Sequence, residues 1–308
     1  MKPQFKRILV ATKPFDGGLP LAATHARLIA EPFDAEITLV GNVYDSKVAY
    51  ELASQHPEAI AAQSGFIEHV HRELEAVAQS LRDWGVTVSS HVSWSRLPYE
   101  GILRKAKELR ADLLVVGMHE PRLGIHTRLA DTDWQLIRSA ACPVLVAKAP
   151  PVPKYSHILA AIDPLHMHDE PEGFDHVLLE TASAFAHALD AKLSVVHAFP
   201  NPADYELTSA VQVLPGVFYG TENMEALHRR AVRELVANYG VKDDGIFLQP
   251  GKAAEVICAT ADAQQVELIV LGCVSKSYLD AALIGTTAEL VIDEAPCDVL
   301  VLTPPPLR

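Results

Sequence analysis

RILVATKP (Arg7–Pro14) and HILAAIDP (His157–Pro164) are two versions of one short apolar run closed by a proline, and together they set the architecture of the chain. The second copy starts 150 residues after the first (158 − 8 for the paired isoleucines). Two more pairs follow in the same order. RADLLVVG (Arg110–Gly117) pairs with QVELIVLG (Gln265–Gly272), and CPVLV (Cys142–Val146) with CDVLV (Cys297–Val301), each 155 residues apart (272 − 117 and 297 − 142). Three ordered matches at nearly constant spacing mark an internal duplication. The drift in spacing places a net insertion early in the second copy.

The seam is Ala149-Pro150-Pro151-Val152-Pro153. Three prolines there suit a stiff extended connection and exclude a helix or a central strand. The expected domains are therefore 1–149 and 154–308, joined by a linker at 150–153. Thr303-Pro304-Pro305-Pro306 ends the second copy in the same manner. At 308 residues, two domains of ordinary size are also the expectation from length.

Each copy alternates continuous apolar runs with segments of helical spacing. In copy one, strands are expected near residues 8–11, 37–43, 86–92, 113–116 and 144–146, with helices near 21–29, 66–84, 99–109 and 134–139. Copy two repeats the alternation, with strands near 158–162, 193–198, 246–249, 268–271 and 299–302. Such a pattern predicts an α/β fold: two tandem doubly wound parallel sheets, five strands each, covered by helices on both faces. Ligands in such sheets sit beyond the carboxyl ends of the strands, where strand order reverses. Tyr44–Gly65 and Tyr205–Tyr219 lack a clear period and read as long connections. They would form the interface between halves, line an apolar pocket, or cover a ligand.

The charge and composition exclude several classes. The net charge is −13, against the basic balance of a nucleic-acid or anionic-membrane binder. No apolar stretch approaches the roughly 18 residues of a bilayer span. MKPQFKRILVATK (Met1–Lys13) lacks a signal-peptide core. The four cysteines (Cys142, Cys258, Cys273 and Cys297) form no CxxC pair and read as reduced thiols, so a cytoplasmic location is expected. GxxxxGK[ST], GxSxG and HExxH are all absent, and catalysis has no evident carrier.

The chemistry concentrates in Gly272-Cys273-Val274-Ser275-Lys276-Ser277, which follows a strand, and in Gly285-Thr286-Thr287, which precedes a helix. Small residues after a strand let backbone N–H groups approach phosphate oxygens, and a helix N-terminus favours negative charge. The same glycine and threonines also make an ordinary helix cap, and residue types alone leave both readings open.

A first strand ending in Asp163, a strand followed by a G-x-x-G-x9-G-(S/T)-like segment, and a closing CPVLV-like strand together resemble the universal stress proteins. With Thr132-Asp133-Trp134 and Cys142-Pro143 in copy one, the chain is most similar to the E-type tandem members. The resemblance spans both halves. It implies an adenine nucleotide α-hydrolase-like fold with the halves packed as a pseudo-dimer, homodimerisation being left open. It also implies a stress-response regulator or scaffold that meets a protein partner and binds ATP or a related adenine nucleotide, with magnesium left open. On this correspondence Asp163 contacts adenine, Ala161 and Ala198 line the ribose and base, and Gly272, Ser275, Gly285 and Thr286, with Thr287 beside them, hold phosphate. Ser275 stands where the family has its second glycine, which weakens the expected binding if that position needs a positive φ. In copy one Lys13 replaces the aspartate. Glu120, Ala130 and Asp131 stand where the loop has glycine, glycine and hydroxyl, and carboxylates there repel a triphosphate. Copy one is therefore expected not to bind ATP, and any hydrolysis by copy two to be slow and incidental.

Two readings of other classes compete: a scaffold or apolar-ligand carrier that uses the long connections, and a zinc-dependent hydrolase on His166, His168 and Asp169. The latter trio has ligand chemistry but no second cluster at diagnostic spacing; His176 joins only if the loop folds back. His69, His71, Glu73 and Glu75 read as a solvated helix face.

Overall fold

The computed structural model describes residues 4–12, 19–118, 131–148, 150–165, 173–200, 221–273 and 286–304. The chain divides into two compact units, one over Gln4–Lys154 and one beginning at Tyr155. Residues 150–154 form neither helix nor strand.

The first unit runs β1 (Arg7–Ala11), α1 (Leu21–Phe33), β2 (Glu36–Val43), α2 (Ser46–Leu52), α3 (Pro57–Arg82), β3 (Val88–Trp94), α4 (Pro98–Leu109), β4 (Leu113–Gly117), α5 (Asp131–Ser139) and β5 (Val144–Ala147). The second runs β6 (His157–Ala161), α6 (Phe174–Leu189), β7 (Lys192–Phe199), α7 (Thr221–Val236), β8 (Ile246–Pro250), α8 (Ala253–Ala263), β9 (Leu268–Gly272), α9 (Thr286–Glu294) and β10 (Asp298–Leu302).

Strand order in the first unit is β3-β2-β1-β4-β5, every pair parallel. In the second it is β8-β7-β6-β9-β10, again all parallel. The inner strands explain themselves. Leu113–Val116 and Leu268–Leu271 are buried at every residue, as a sheet covered on both faces demands. The chain winds one way from β6 through β7 to β8, then returns past β6 to β9. Order therefore reverses between β6 and β9, and right-handed crossovers turn that reversal into helices on both faces.

The duplication extends to the joints. Asp34 and Asp190 end α1 and α6 at φ 48° and 50°, and Arg110 and Gln265 take φ 50° and 51° after α4 and α8. Behind each, an N–H reaches back five residues: Ala35 to Ala30, Ala191 to Ala186, Ala111 to Ala106 and Val266 to Ala261, all at 2.8–2.9 Å. This is the Schellman closure of a helix C-terminus. It turns the chain sharply enough for the next strand to begin within three residues.

The clasp at the sheet's base is also shared. Asp112 accepts from the N–H groups of Lys6 and Arg7 at 3.1 and 3.0 Å, and Glu267 accepts from those of Ser156 and His157. Each carboxylate thus ties the start of the first strand to the strand beside it.

The structure corrects the reading of Tyr44–Gly65 as a long irregular connection. Asp45 caps α2, accepting from Val48 N–H at 2.8 Å, and Pro57 opens α3 at its first position. Proline is suited there because its missing N–H has no intrahelical partner in any case. Between Ala59 and Leu74 no residue of α3 is buried, which hides its period until Leu74, Val77, Ala78 and Leu81. Tyr205–Tyr219 lies outside the described residues. No helix among the described residues is long and apolar enough to cross a membrane, and none of the four cysteines forms a disulfide. His69 and His71 are exposed as expected, while Glu75 is partly covered and bonds Ser90 and Arg82.

Candidate functional site: a cleft at the strand-order reversal of the second unit

A cleft of 390 Å³ opens at the carboxyl ends of β6, β7 and β9. Ala161, Ile162 and Asp163 close β6; His197, Ala198, Phe199 and Pro200 close β7; Leu271 and Gly272 close β9. The first turns of two helices complete the wall, Ala253 and Ala254 from α8 and Thr286, Thr287 and Ala288 from α9. Six of the residues singled out from the sequence meet in this one place: Ala161, Asp163, Ala198, Gly272, Thr286 and Thr287. Ser275 and Gly285 lie outside the described residues, as do His166, His168 and Asp169.

Each wall has a local cause. Gly272 leaves room for a ring: a Cβ on it would stand 2.5 Å from Phe174 Cε1, at the start of α6. Only glycine lets β9 end against that aromatic. Ala161 and Ala198 keep the strand ends low, which leaves depth for a flat ligand. Two helix N-termini face the cleft, each a source of unpaired N–H groups and positive potential. Lys252 stands at the rim as the residue before α8, with Nζ 3.0 Å from Glu255.

Behind the cleft the polar groups are unusually dense. Asp163 is buried, and its N–H donates to Asp175 Oδ1 at 3.2 Å. His197 Nδ1 lies 2.9 Å from the carbonyl oxygen of Ile162, and His197 Nε2 lies 2.8 Å from His228 Nδ1 on α7. The two rings stack with centroids 5.0 Å apart, and Phe199 also stacks with His228 at 5.2 Å. Both histidines are almost fully buried, at 2% and 1% exposure. Burial, and next the neighbouring His197, push the His228 imidazole below its usual pKa, while Asp163 pulls it up. Sequence reading missed this pair. The available signal was a histidine inside the otherwise apolar run of β7, where copy one has Gly41.

The first unit differs at the same place. α5 opens with Asp131 and Asp133 where α9 opens with Thr286 and Ala288, and Asp133 is 1% exposed. These carboxylates already supply negative charge to that helix end. Lys13, Glu120 and Ala130 lie outside the described residues. His176, weighed as an extra metal ligand, sits in the first turn of α6 with Nδ1 2.8 Å from the Tyr239 hydroxyl. No cluster of metal-ligating side chains occurs among the described residues.

Comparison with known proteins agrees with the duplication. The universal stress protein family profile matches twice, over residues 4–148 and 154–303. The chain is 25% identical over 308 residues to the universal stress protein E homologue of Haemophilus influenzae, covering 98% of each. It is 24% identical over 306 residues to universal stress protein E of Escherichia coli K12, covering 97% of this chain and 94% of that one. A crystal structure from Pseudomonas aeruginosa UCBPP-PA14, assigned to the same family, is similar over 97% of this chain and 94% of its own, at 28% identity and a TM-score of 0.73. A universal stress protein from Archaeoglobus fulgidus shares the fold at 16% identity and a TM-score of 0.69. The chain belongs to the universal stress protein family and carries two of its domains in tandem.

Proposed function

We propose that the second unit binds ATP or a related adenine nucleotide in the cleft at the strand-order reversal, and that the protein acts in the cytoplasm as a nucleotide-responsive regulator or scaffold in the stress response. The observation that carries this reading is the convergence of Ala161, Asp163, Ala198, Gly272, Thr286 and Thr287 on one cavity of 390 Å³ faced by two helix N-termini. A volume of this order suits a small ligand, for which about 300–1,000 Å³ is typical. The small floor residues fit a flat base, Asp163 offers a carboxylate to a base or sugar, and the Thr286 end offers N–H groups to phosphate. The first unit, with Asp131 and Asp133 at the corresponding helix end, serves as a structural or partner-docking half.

Binding to the folded state alone raises stability by mass action, about 2.7 kcal/mol at a hundredfold excess over Kd. The test is the melting temperature with millimolar ATP, with and without magnesium. A rise of several degrees is expected; an unchanged midpoint under both conditions would remove the nucleotide from the account.

A further inference from the structure

We propose that the buried His197–His228 pair makes the binding of an anionic ligand in this cleft proton-linked, the pair taking up one proton as the ligand enters. This rests on the nucleotide reading of the same cleft and adds its regulation by pH.

The bonding pattern fixes where protons stand. The Ile162 carbonyl only accepts, so His197 carries its proton on Nδ1 and donates it across 2.9 Å. In neutral His197 the other nitrogen, Nε2, is then bare and accepts from His228 Nδ1–H at 2.8 Å. This arrangement can take one more proton with every bond kept. His228 charged at Nε2 still donates from Nδ1 to His197. A second proton would set N–H against N–H across 2.8 Å and break the pair.

The fold does not require these histidines. Ala11 pairs with Val40 in the first unit as Ala161 pairs with Val196 in the second, so the next residues, Gly41 and His197, are equivalent. A Cβ on Gly41 would meet Val70 and Leu74 of α3 at 2.9 and 3.2 Å. The same joint between strand and helix therefore closes with apolar groups alone in copy one. The polar pair is an addition in the unit whose cleft holds the other candidate site residues.

The groups facing the pair define the sign. From the end of β6 comes Asp163, which favours the charged form of His228; from β7 come His197, which disfavours it, and the neutral Phe199 ring. Asp175 of α6 stands behind Asp163, and Lys252 stands at the cleft rim. Burial is the largest influence on His228 and disfavours its charged form. An anion entering the cleft adds negative potential and raises the pair's pKa. The gain in affinity is fully present below the pKa of the empty pair and is lost as pH rises through the pKa of the occupied one.

Calorimetric titration with ATP at about pH 5.5 and about pH 8, the span over which histidine charge changes, tests this in the full-length protein, in His228→Asn and in His228→Leu. Asparagine keeps a donor near the position of Nδ1 without a titrating ring, and leucine puts an apolar side chain on the helix against this strand, as Leu74 does against Gly41. The phosphate's own titration is common to all three proteins and cancels in the ratio. The wild-type gain in affinity on acidification should exceed that of either variant by about tenfold, the factor that one pKa unit represents. Equal ratios with binding retained overturn the linkage alone. Absence of ATP binding by the wild type at both pH values overturns the nucleotide reading and the linkage with it. Imidazole ¹⁵N resonances give a readout without substitution: the pair's single titration must move to higher pH when ATP is bound, and an unmoved titration overturns the proposal.

Discussion

The ring of Phe174 occupies the space that a side chain on Gly272 would need, with Cε1 2.5 Å from the position of a Cβ. In the first unit the corresponding Gly117 faces Ala22, whose nearest atoms stand 3.3–3.4 Å from the Cβ position. The two glycines are matched in sequence and unequal in what they tolerate. Gly272→Ala should destabilise by about 1–3 kcal/mol through overpacking, whereas Gly117→Ala should cost less than about 1 kcal/mol. Urea midpoints of the two variants check the order; equal losses would show that Phe174 moves aside freely.

The Asp112 carboxylate gives a prediction with a pH sign. Burial opposes its ionisation, but the Arg7 guanidinium and the N–H groups of Arg7 and Lys6 outweigh it, and the net pKa is lowered. A lowered folded pKa adds stability that is present above the unfolded value of about 3.9 and is lost as pH falls through the folded value. Asp112→Ala should cost about 1–2 kcal/mol at pH 7, given an ion pair that is part exposed. The difference from wild type should shrink toward about pH 3. Paired denaturation curves at the two pH values measure it.

His157 has the same pH sign through a different cause, burial of a neutral ring. Its Nδ1 faces the Gln264 carbonyl at 3.1 Å and its Nε2 faces Ser194 Oγ at 2.9 Å. Burial lowers its pKa ahead of all other influences. The unfolded chain then binds the proton more readily, so the stability of the neutral ring is full above the unfolded pKa of about 6.5 and declines as pH falls toward the folded one. His157→Gln, which keeps polar atoms and cannot charge, should lose less in melting temperature than wild type between about pH 7 and pH 5. A parallel decline in both proteins would refute the assignment.

The left-handed joints predict a gain. Arg110 and Gln265 hold φ near 50° without the freedom of glycine, a conformation that costs an L-residue about 1 kcal/mol. Arg110→Gly and Gln265→Gly should each raise stability by about 0.5 kcal/mol once the added flexibility of the unfolded chain is subtracted. Asp190→Gly should gain less, because aspartate tolerates this region better. Thermal melts of the three variants give the ranking.

Much of this was legible in the residues. The paired runs at Ile8 and Ile158, Leu113 and Leu268, and Val144 and Val299 carry buried strands of each unit, because a strand covered on both faces must be apolar throughout. The cleft's small residues Ala161 and Ala198 were reached through the family resemblance, while Gly272 also stood out as a small residue after a strand. α2 and the start of α3 were not legible, since α2 buries no residue and α3 none between Ala59 and Leu74, which leaves no period to read. The His197–His228 contact joins residues 31 apart on a strand and a helix, and no local pattern reports such a meeting.

The central claim is tested most directly by titrating ATP into the intact protein and into Thr286→Asp. A carboxylate in the first turn of α9 suits the helix dipole, so the fold should be kept. The same charge repels phosphate from the end where it is expected to sit. The account predicts one equivalent of ATP bound by the wild type and a loss of at least about tenfold in the variant, roughly 1.4 kcal/mol, with the melting temperature of the ligand-free protein unchanged or raised. Equal affinity in the two proteins would place the nucleotide elsewhere. No binding in either would leave the cleft to another ligand and bring the apolar-ligand or scaffold reading forward.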